Sequence, residues 1–354
     1  MQSTPSNATP GLWFLVSAAV ALVVALAIAS SNGGISGLLT VGEDFPIRDF
    51  VVADLGDIQL ASGDGHDGQQ YYGIARDPLG RGEVPDLLDN PSYRYLHILY
   101  PALAGGFGAF TPEMTVVGML ILAVAGFGLA GASALLLNHR LNGETSIAQI
   151  AIVNVGLLLA VRFLLPDALA LGLAMLGVVL AAAGRDRPAG VALGLAVLTK
   201  TTYLVFPLVL AVWVWPTERH RTGWLTVAPA IPAALWTVYV FARFGASTAG
   251  NLDLPLVGFF QAIDLWSDVS NGEIAMALLA AALLIAGVAL AAATRDRLLR
   301  WTLLAWVGVG LISSEFVWEF GNNTLRVLAP LWSLVAVAGA VYLSSRRSRR
   351  NLPV

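Results

Sequence analysis

Apolar runs of about 20 residues recur along the whole chain, and a run of that length is what an α-helix needs to cross a bilayer. The first, "GLWFLVSAAVALVVALAIAS", fills residues 11–30. Composition points the same way: 57% of the 354 residues are hydrophobic and 12% are charged. An average soluble domain carries about 25% charged residues. The expected fold is therefore all-α, a polytopic transmembrane helical bundle forming a single integral-membrane domain over 1–354. A net charge of −3 is too small to suggest nucleic acid or an acidic polymer as a partner. The chain has no cysteine, which removes disulfides, thiolate metal sites and cysteine nucleophiles.

The run at 11–30 ends near "AIA" (27–29), which looks like a signal-peptidase site. The preceding "MQSTPSNATP" lacks the basic residues of a signal sequence, so this run is read as a retained span. Basic residues in short loops mark the cytoplasmic side. Five such clusters occur: His139-Arg140, "GRDR" (184–187), "ERHR" (218–221), "TRDRLLR" (294–300) and "RRSRR" (346–350). Placing all five inside gives about ten spans, at 11–30, 113–137, 146–163, 168–183, 188–200, 202–216, 223–243, 272–293, 299–314 and 325–344. Both termini are then cytoplasmic. The apolar stretch 96–110 is short for a span and contains Pro101 and a Gly cluster; it is expected as a re-entrant or interfacial helix on the outer face. The high Ala and Gly content suggests a prokaryotic plasma membrane.

The longest loop is then 31–112, on the outside, and long loops in compact domains are usually functional. The charges outside the basic clusters collect at the same face: Asp64, Asp67, Arg76, Asp77, Arg94 and His97, then Asp167, Lys200, Arg243, Asp253, Asp264, Glu315, Glu319 and Arg326. Arg162 can join them by snorkelling. Ionisable groups near lipid face a cavity or a partner, so this distribution predicts chemistry or binding at the outer interface. "GLAVLTKTT" (194–202) is not a phosphate-binding loop, because Thr199 stands where Gly should precede Lys200.

"GDGHDGQQYYGIARDPLG" (63–80) is the most polar stretch. Residues 68–77 read as a short amphipathic helix closed by Pro78. Asp67 sits at its start, where an Asp commonly caps free backbone N–H groups. Gly63, Gly65 and Gly68 suit a tight approach of backbone to neighbour or ligand. Further on, Arg94 and His97 are three apart and expected on one helical face. Arg94 has the geometry to hold a phosphate or a lipid headgroup.

A loop with "DGxxYYxIAxDP" (67–78) followed by "LYPxL" (99–103), behind one leading span, resembles the GT-C superfamily of integral-membrane glycosyltransferases. The nearest likeness is to mannosyltransferases of the GPI-anchor type, although His66 stands where those carry Trp and Leu99 departs from their second motif. The resemblance implies a transferase that moves a sugar, mannose by this likeness, from a polyprenyl-phosphate carrier to a hydroxyl of a glycan, lipid or protein acceptor on the non-cytoplasmic face. It implies Asp67 as the base, with Asp64 as second choice or support. A carrier phosphate leaves readily without a general acid, so one carboxylate can serve, and fixed cations stabilise the departing phosphate. Lys200, Arg326 and Arg94 are the candidates for that role. Tyr71, Arg76, His97 and Trp318 complete the expected substrate contacts, with Tyr71 and Trp318 able to stack on a sugar. The resemblance leaves a metal open, since some members use one and others do not; Asp64 and Asp67 are the pair that would share Mg or Mn if a divalent cation takes part. The rival reading is a polytopic transporter or lipid flippase, which would place polar groups at the bilayer midplane between repeats; neither is visible.

Overall fold

Backbone N–H and C=O groups have no water to bond in a bilayer core, so spanning segments close their hydrogen bonds internally. The computed structural model describes residues 10–246 and 250–350, and over them the chain is helical with no β-strand beyond isolated bridges. Residues 1–9, 247–249 and 351–354 lie outside the described residues, and with them the terminal residues whose side was assigned above.

Five helices are long and apolar enough to cross a membrane: Pro10–Ser31, Pro112–Arg140, Thr145–Arg162, Arg219–Phe244 and Asn271–Ala293. A sixth span results if Gly321–Val327 and Ala329–Ser348, bent by 59° between them, are one broken crossing. Each of these six covers one expected span. The other four fall on shorter helices: Asp167–Ala182, Asp186–Thr199, Thr201–Val214 and Arg297–Leu311. Fourteen to 16 residues at about 1.5 Å each reach roughly 21–24 Å, against a hydrocarbon core of about 30 Å. The hydropathy pattern therefore located the helices, and five or six of them have the length and apolar character of a crossing.

Helix starts are chemically marked. Thr111, Asn154, Ser270 and Asp296 each accept a backbone N–H of the following turn through their side chains, closing donors that a first turn leaves open. The Pro112–Arg140 helix is central, with 67% of its most apolar window buried against 22% for Pro10–Ser31. Close approach of helices without a Cβ between them is how small residues replace hydrophobic drive inside lipid. Gly126 illustrates it: a Cβ there would sit 2.4 Å from the Leu169 backbone.

The basic clusters gather at one end of the bundle. Arg140 donates to the Ala182 carbonyl, Arg221 pairs with Asp186 and donates to the Ala181 carbonyl, and Arg347 pairs with Glu144. The long loop 31–112 packs at the other end. It carries the short helices Arg48–Leu55, Gly68–Arg76, Pro91–Arg94 and Leu99–Phe107. The last has nine residues, about 14 Å at helical rise, so the 96–110 stretch does not cross.

Two glycines fix how the loop folds back on itself. Gly65 (φ +67°) bridges Val41, and a Cβ there would lie 2.3 Å from the Gly42 nitrogen. Gly68 opens its helix against the Phe163 carbonyl, 2.4 Å from where a Cβ would stand. Gly68→Ala should therefore lower stability by about 1–3 kcal/mol through overpacking. Gly106→Ala, with nothing within 4 Å, should be neutral or gain up to about 1 kcal/mol from helix propensity. Thermal unfolding of the two purified proteins in detergent checks this; equal midpoints would refute it.

Candidate functional site

The helix Gly68–Arg76 starts at Asp67 and stops before Pro78, close to the expected 68–77. Asp67 occupies the capping position (φ −54°, ψ −23°), yet its side chain makes no capping bond. It turns instead into a cleft of about 490 Å³ walled by the loop, the Leu165–Asp167 corner, Lys200, Asn251–Leu252 and the 313–327 segment. The ordinary role of an Asp at a helix start is thus not the one this residue performs.

Three cations face this carboxylate or its neighbour. Arg94 Nη2 lies 3.0 Å from Asp67 Oδ1, and Arg326 Nη2 lies 3.9 Å from Asp67 Oδ2. Lys200 Nζ lies 2.5 Å from Asp167 Oδ1, a carboxylate only 3% exposed. Arg94 is aimed by Asp89, which accepts from its Nε at 2.9 Å and its Nη2 at 2.6 Å. Gln70 steadies Asp89 in turn through a 3.1 Å bond. Arg326 is less well served. It is 8% exposed and donates to Asn323 Oδ1 at 2.8 Å, but its Nε and Nη1 are buried with no acceptor. A buried guanidinium with idle donors is costly.

Burial alone would raise the Asp67 carboxyl; the charges of Arg94 and then Arg326 overcome it and hold the group well below the usual carboxylate range. His66 stacks on Phe163 at 3.6 Å and its Nδ1 accepts the Asp67 N–H, so a neutral ring carries its proton on Nε2. Burial, followed by the Arg326 charge, pushes His66 down to about 4. His97 is buried behind Tyr71, its Nδ1 3.0 Å from the Tyr71 hydroxyl and its Nε2 3.4 Å from Thr201 Oγ1. Burial and then Lys200 push it down to about 3. Both rings are neutral near pH 7.

Of the residues expected at the site, Asp67, Tyr71, Arg94, Lys200 and Arg326 line the cleft, and His97 supports it from behind. Arg94 and His97 do not share one helix, because the chain turns between the Pro91–Arg94 and Leu99–Phe107 helices. Three others lie elsewhere. Asp64 is exposed and outside the cleft, its backbone carbonyl accepting from Gln69. Arg76 pairs with Asp54 at 2.9 Å and donates to the Gly108 carbonyl, tying the loop together. Trp318 is 1% exposed, its Nε1 bonded to the Gly310 carbonyl and its ring packed edge-on against Phe259, so no face is open to a sugar. Its sequence neighbours Phe316 and Phe320, 60% and 39% exposed, reach the cleft instead, beside Tyr71 and Tyr93.

A divalent cation does not suit Asp67, which already sits between two guanidiniums, and Asp64 does not join it. Among the described residues no group of three or more His, Asp and Glu is arranged to hold a metal. Sequence reasoning passed over Asp89, Asn322 and Asn323. Asn323 stands three residues before Arg326, the helical spacing that pairs them. Asp89 gave no comparable signal. Comparison of the chain with protein-family models, with curated proteins and with solved structures gives no match.

Proposed function

We propose that this protein is a membrane glycosyltransferase that takes a sugar, mannose in the first instance, from a polyprenyl-phosphate carrier and passes it to an acceptor hydroxyl. The observation that carries the reading is the pairing of an ionised, uncapped carboxylate, Asp67, with the under-satisfied Arg326 guanidinium beside it. An anion in the cleft would meet the charges of Arg326, Arg94 and Lys200, which all line it. The exposed Phe316, Phe320 and Leu252 at the same cleft supply apolar surface where a lipid-borne donor would enter.

In the proposed reaction the acceptor oxygen attacks the anomeric carbon while the bond from that carbon to the phosphate oxygen breaks. Electrons pass to the polyprenyl phosphate, which leaves as an anion held by Arg326, Lys200 and Arg94. The acceptor hydroxyl becomes acidic only as its oxygen bonds to carbon, so a carboxylate of low proton affinity still receives the proton late in the step. One displacement inverts the anomeric centre. Glycan, lipid and protein acceptors are all compatible with a cleft of this size.

The same reading sets the protein in a prokaryotic plasma membrane, with the cleft outward, the basic clusters cytoplasmic, and ten crossings that include the shorter helices. A polar cleft at the end of the helices supports an enzyme over the rival transporter, whose site would sit near mid-bilayer.

The test is the glycan and glycolipid profile of a strain lacking the gene, read by mass spectrometry, with complementation. Loss of one sugar from one product, restored by the wild-type gene, is expected; an unchanged profile would move the transporter reading ahead. Orientation is checked in the same strain, since no native cysteine interferes. Asp64→Cys should react with an impermeant maleimide in intact cells, and Ser345→Cys only after permeabilisation; the opposite pattern would sink the outward-facing donor chemistry.

A further inference from the structure

A second cleft, of about 260 Å³, opens at the basic end of the bundle, where the Asn271–Ala293 helix ends and Ala329–Arg350 passes it. Its polar lining includes Arg295, Asp296, Tyr342, Ser345 and Arg346. Two arginines at this end are ion-paired, Arg221 with Asp186 and Glu218 and Arg347 with Glu144. The side chains of Arg295 and Arg346 have no ion pair or hydrogen bond among the described residues, and both residues are exposed beside the same cleft. The cleft's acid does not neutralise them. Asp296 Oδ1 is engaged at 2.8 Å with the Leu299 N–H, as the cap of the Arg297–Leu311 helix. Arg346 is held over the Tyr342 ring at 4.9 Å, which keeps its charge at the cleft while its donor edges stay open.

The depth of this cleft is set by what surrounds it. It begins at Ala293, the last residue of a membrane-capable helix. Three arginine–tryptophan stacks mark the same end of the bundle: Arg187 on Trp224, Arg219 on Trp215 and Arg221 on Trp213. Trp215 and Trp224 are about half exposed, as interfacial aromatics at headgroup level are. The two helices that wall it also carry exposed apolar residues, Ile285 and Val288 on one and Leu343 on the other.

We infer that this cleft binds the headgroup of an anionic phospholipid, with the phosphodiester between Arg295 and Arg346 and the acyl chains running along the apolar sides of the two helices that wall it. Basic pockets between spanning helices on the cytoplasmic side bind such headgroups, each nearby arginine contributing on the order of 1 kcal/mol. A zwitterionic lipid carries the same phosphate but brings an ammonium to two unpaired cations. A free phosphate would have the charge without the apolar contact.

The experiment is native mass spectrometry of the full-length, delipidated protein in detergent, titrated with dioleoyl phosphatidylglycerol, dioleoyl phosphatidylcholine or inorganic phosphate. Wild type should retain phosphatidylglycerol selectively, and the double variant Arg295→Gln/Arg346→Gln should bind it roughly thirtyfold more weakly. Both side chains are exposed, so the variant should unfold at the wild-type temperature. Arg219→Gln, at the neighbouring tryptophan stack, should bind as wild type does. Equal retention of the two lipids, or undiminished binding by the double variant, would overturn the inference. Displacement of bound phosphatidylglycerol by millimolar inorganic phosphate would overturn the lipid assignment in favour of a soluble anion.

Discussion

Replacing Asp67 with Asn should reduce sugar transfer by about a hundred- to ten-thousandfold, the usual contribution of a positioned general base, in a protein that still folds and inserts. Asparagine matches the shape of the carboxylate and removes its charge. Arg94 keeps both bonds to Asp89, so the loop retains its anchor. Arg326 loses its nearest carboxylate, and an anion could then bind more tightly while turnover falls. That split between binding and rate separates loss of a base from loss of structure. Asp64→Asn should be active, since the side chain is exposed and outside the cleft. An active Asp67→Asn protein would remove Asp67 from the chemistry.

The pH dependence carries the same logic. Burial raises the Asp67 carboxyl, and Arg94 and Arg326 more than reverse it, so the acid limb of the activity profile should lie below the ordinary carboxylate range of about 4. Arg94→Gln removes the larger lowering influence and leaves burial in place, so the limb should move upward. Stability has a matching sign. The folded-state value lies below the unfolded one, so the contribution of Asp67 is present above the unfolded value and lost as pH falls through the folded one.

Much of this is legible in the amino-acid sequence, for identifiable reasons. Apolar length and the basic clusters placed every long helix, because the bilayer forces backbone pairing into contiguous segments. Pro78 and the glycines at 65 and 68 marked the start and end of the short helix that carries Asp67. The cleft itself was only half visible. Arg94 and Lys200 were marked by charge where charge is expensive, but Asp54 and Asp89, which decide that Arg76 is structural and Arg94 is aimed inward, are distant or unremarkable in sequence. Trp318 and Phe316 look interchangeable as aromatics near Arg326. Helical phase within a segment of four residues decides that one is buried and the other reaches the cleft. Crossing number is less legible: five or six helices have the length of a span, and helices of 14–16 residues satisfy a hydropathy window at less than that length.

The second large effect is expected at Lys200 and Asp167. Asp167 is almost fully buried and Lys200 is its ion-pair partner; the Tyr203 hydroxyl bonds only to the Asp167 backbone carbonyl. Lys200→Met leaves an uncompensated buried carboxylate, a change that costs about 3–5 kcal/mol. Adding Asp167→Asn removes the charge that was stranded, so Lys200→Met/Asp167→Asn should recover most of that loss. Thermal unfolding in detergent reads both. If the double variant is as unstable as the single one, the pair is not what holds the Leu165–Asp167 corner in place. Activity should not follow stability. The double variant refolds the corner but has one cation fewer at the cleft, so its apparent affinity for the polyprenyl-phosphate donor should stay reduced while its unfolding temperature returns. Recovery of both together would mean that Lys200 serves the fold alone, leaving Arg326 and Arg94 as the cations available to the departing phosphate.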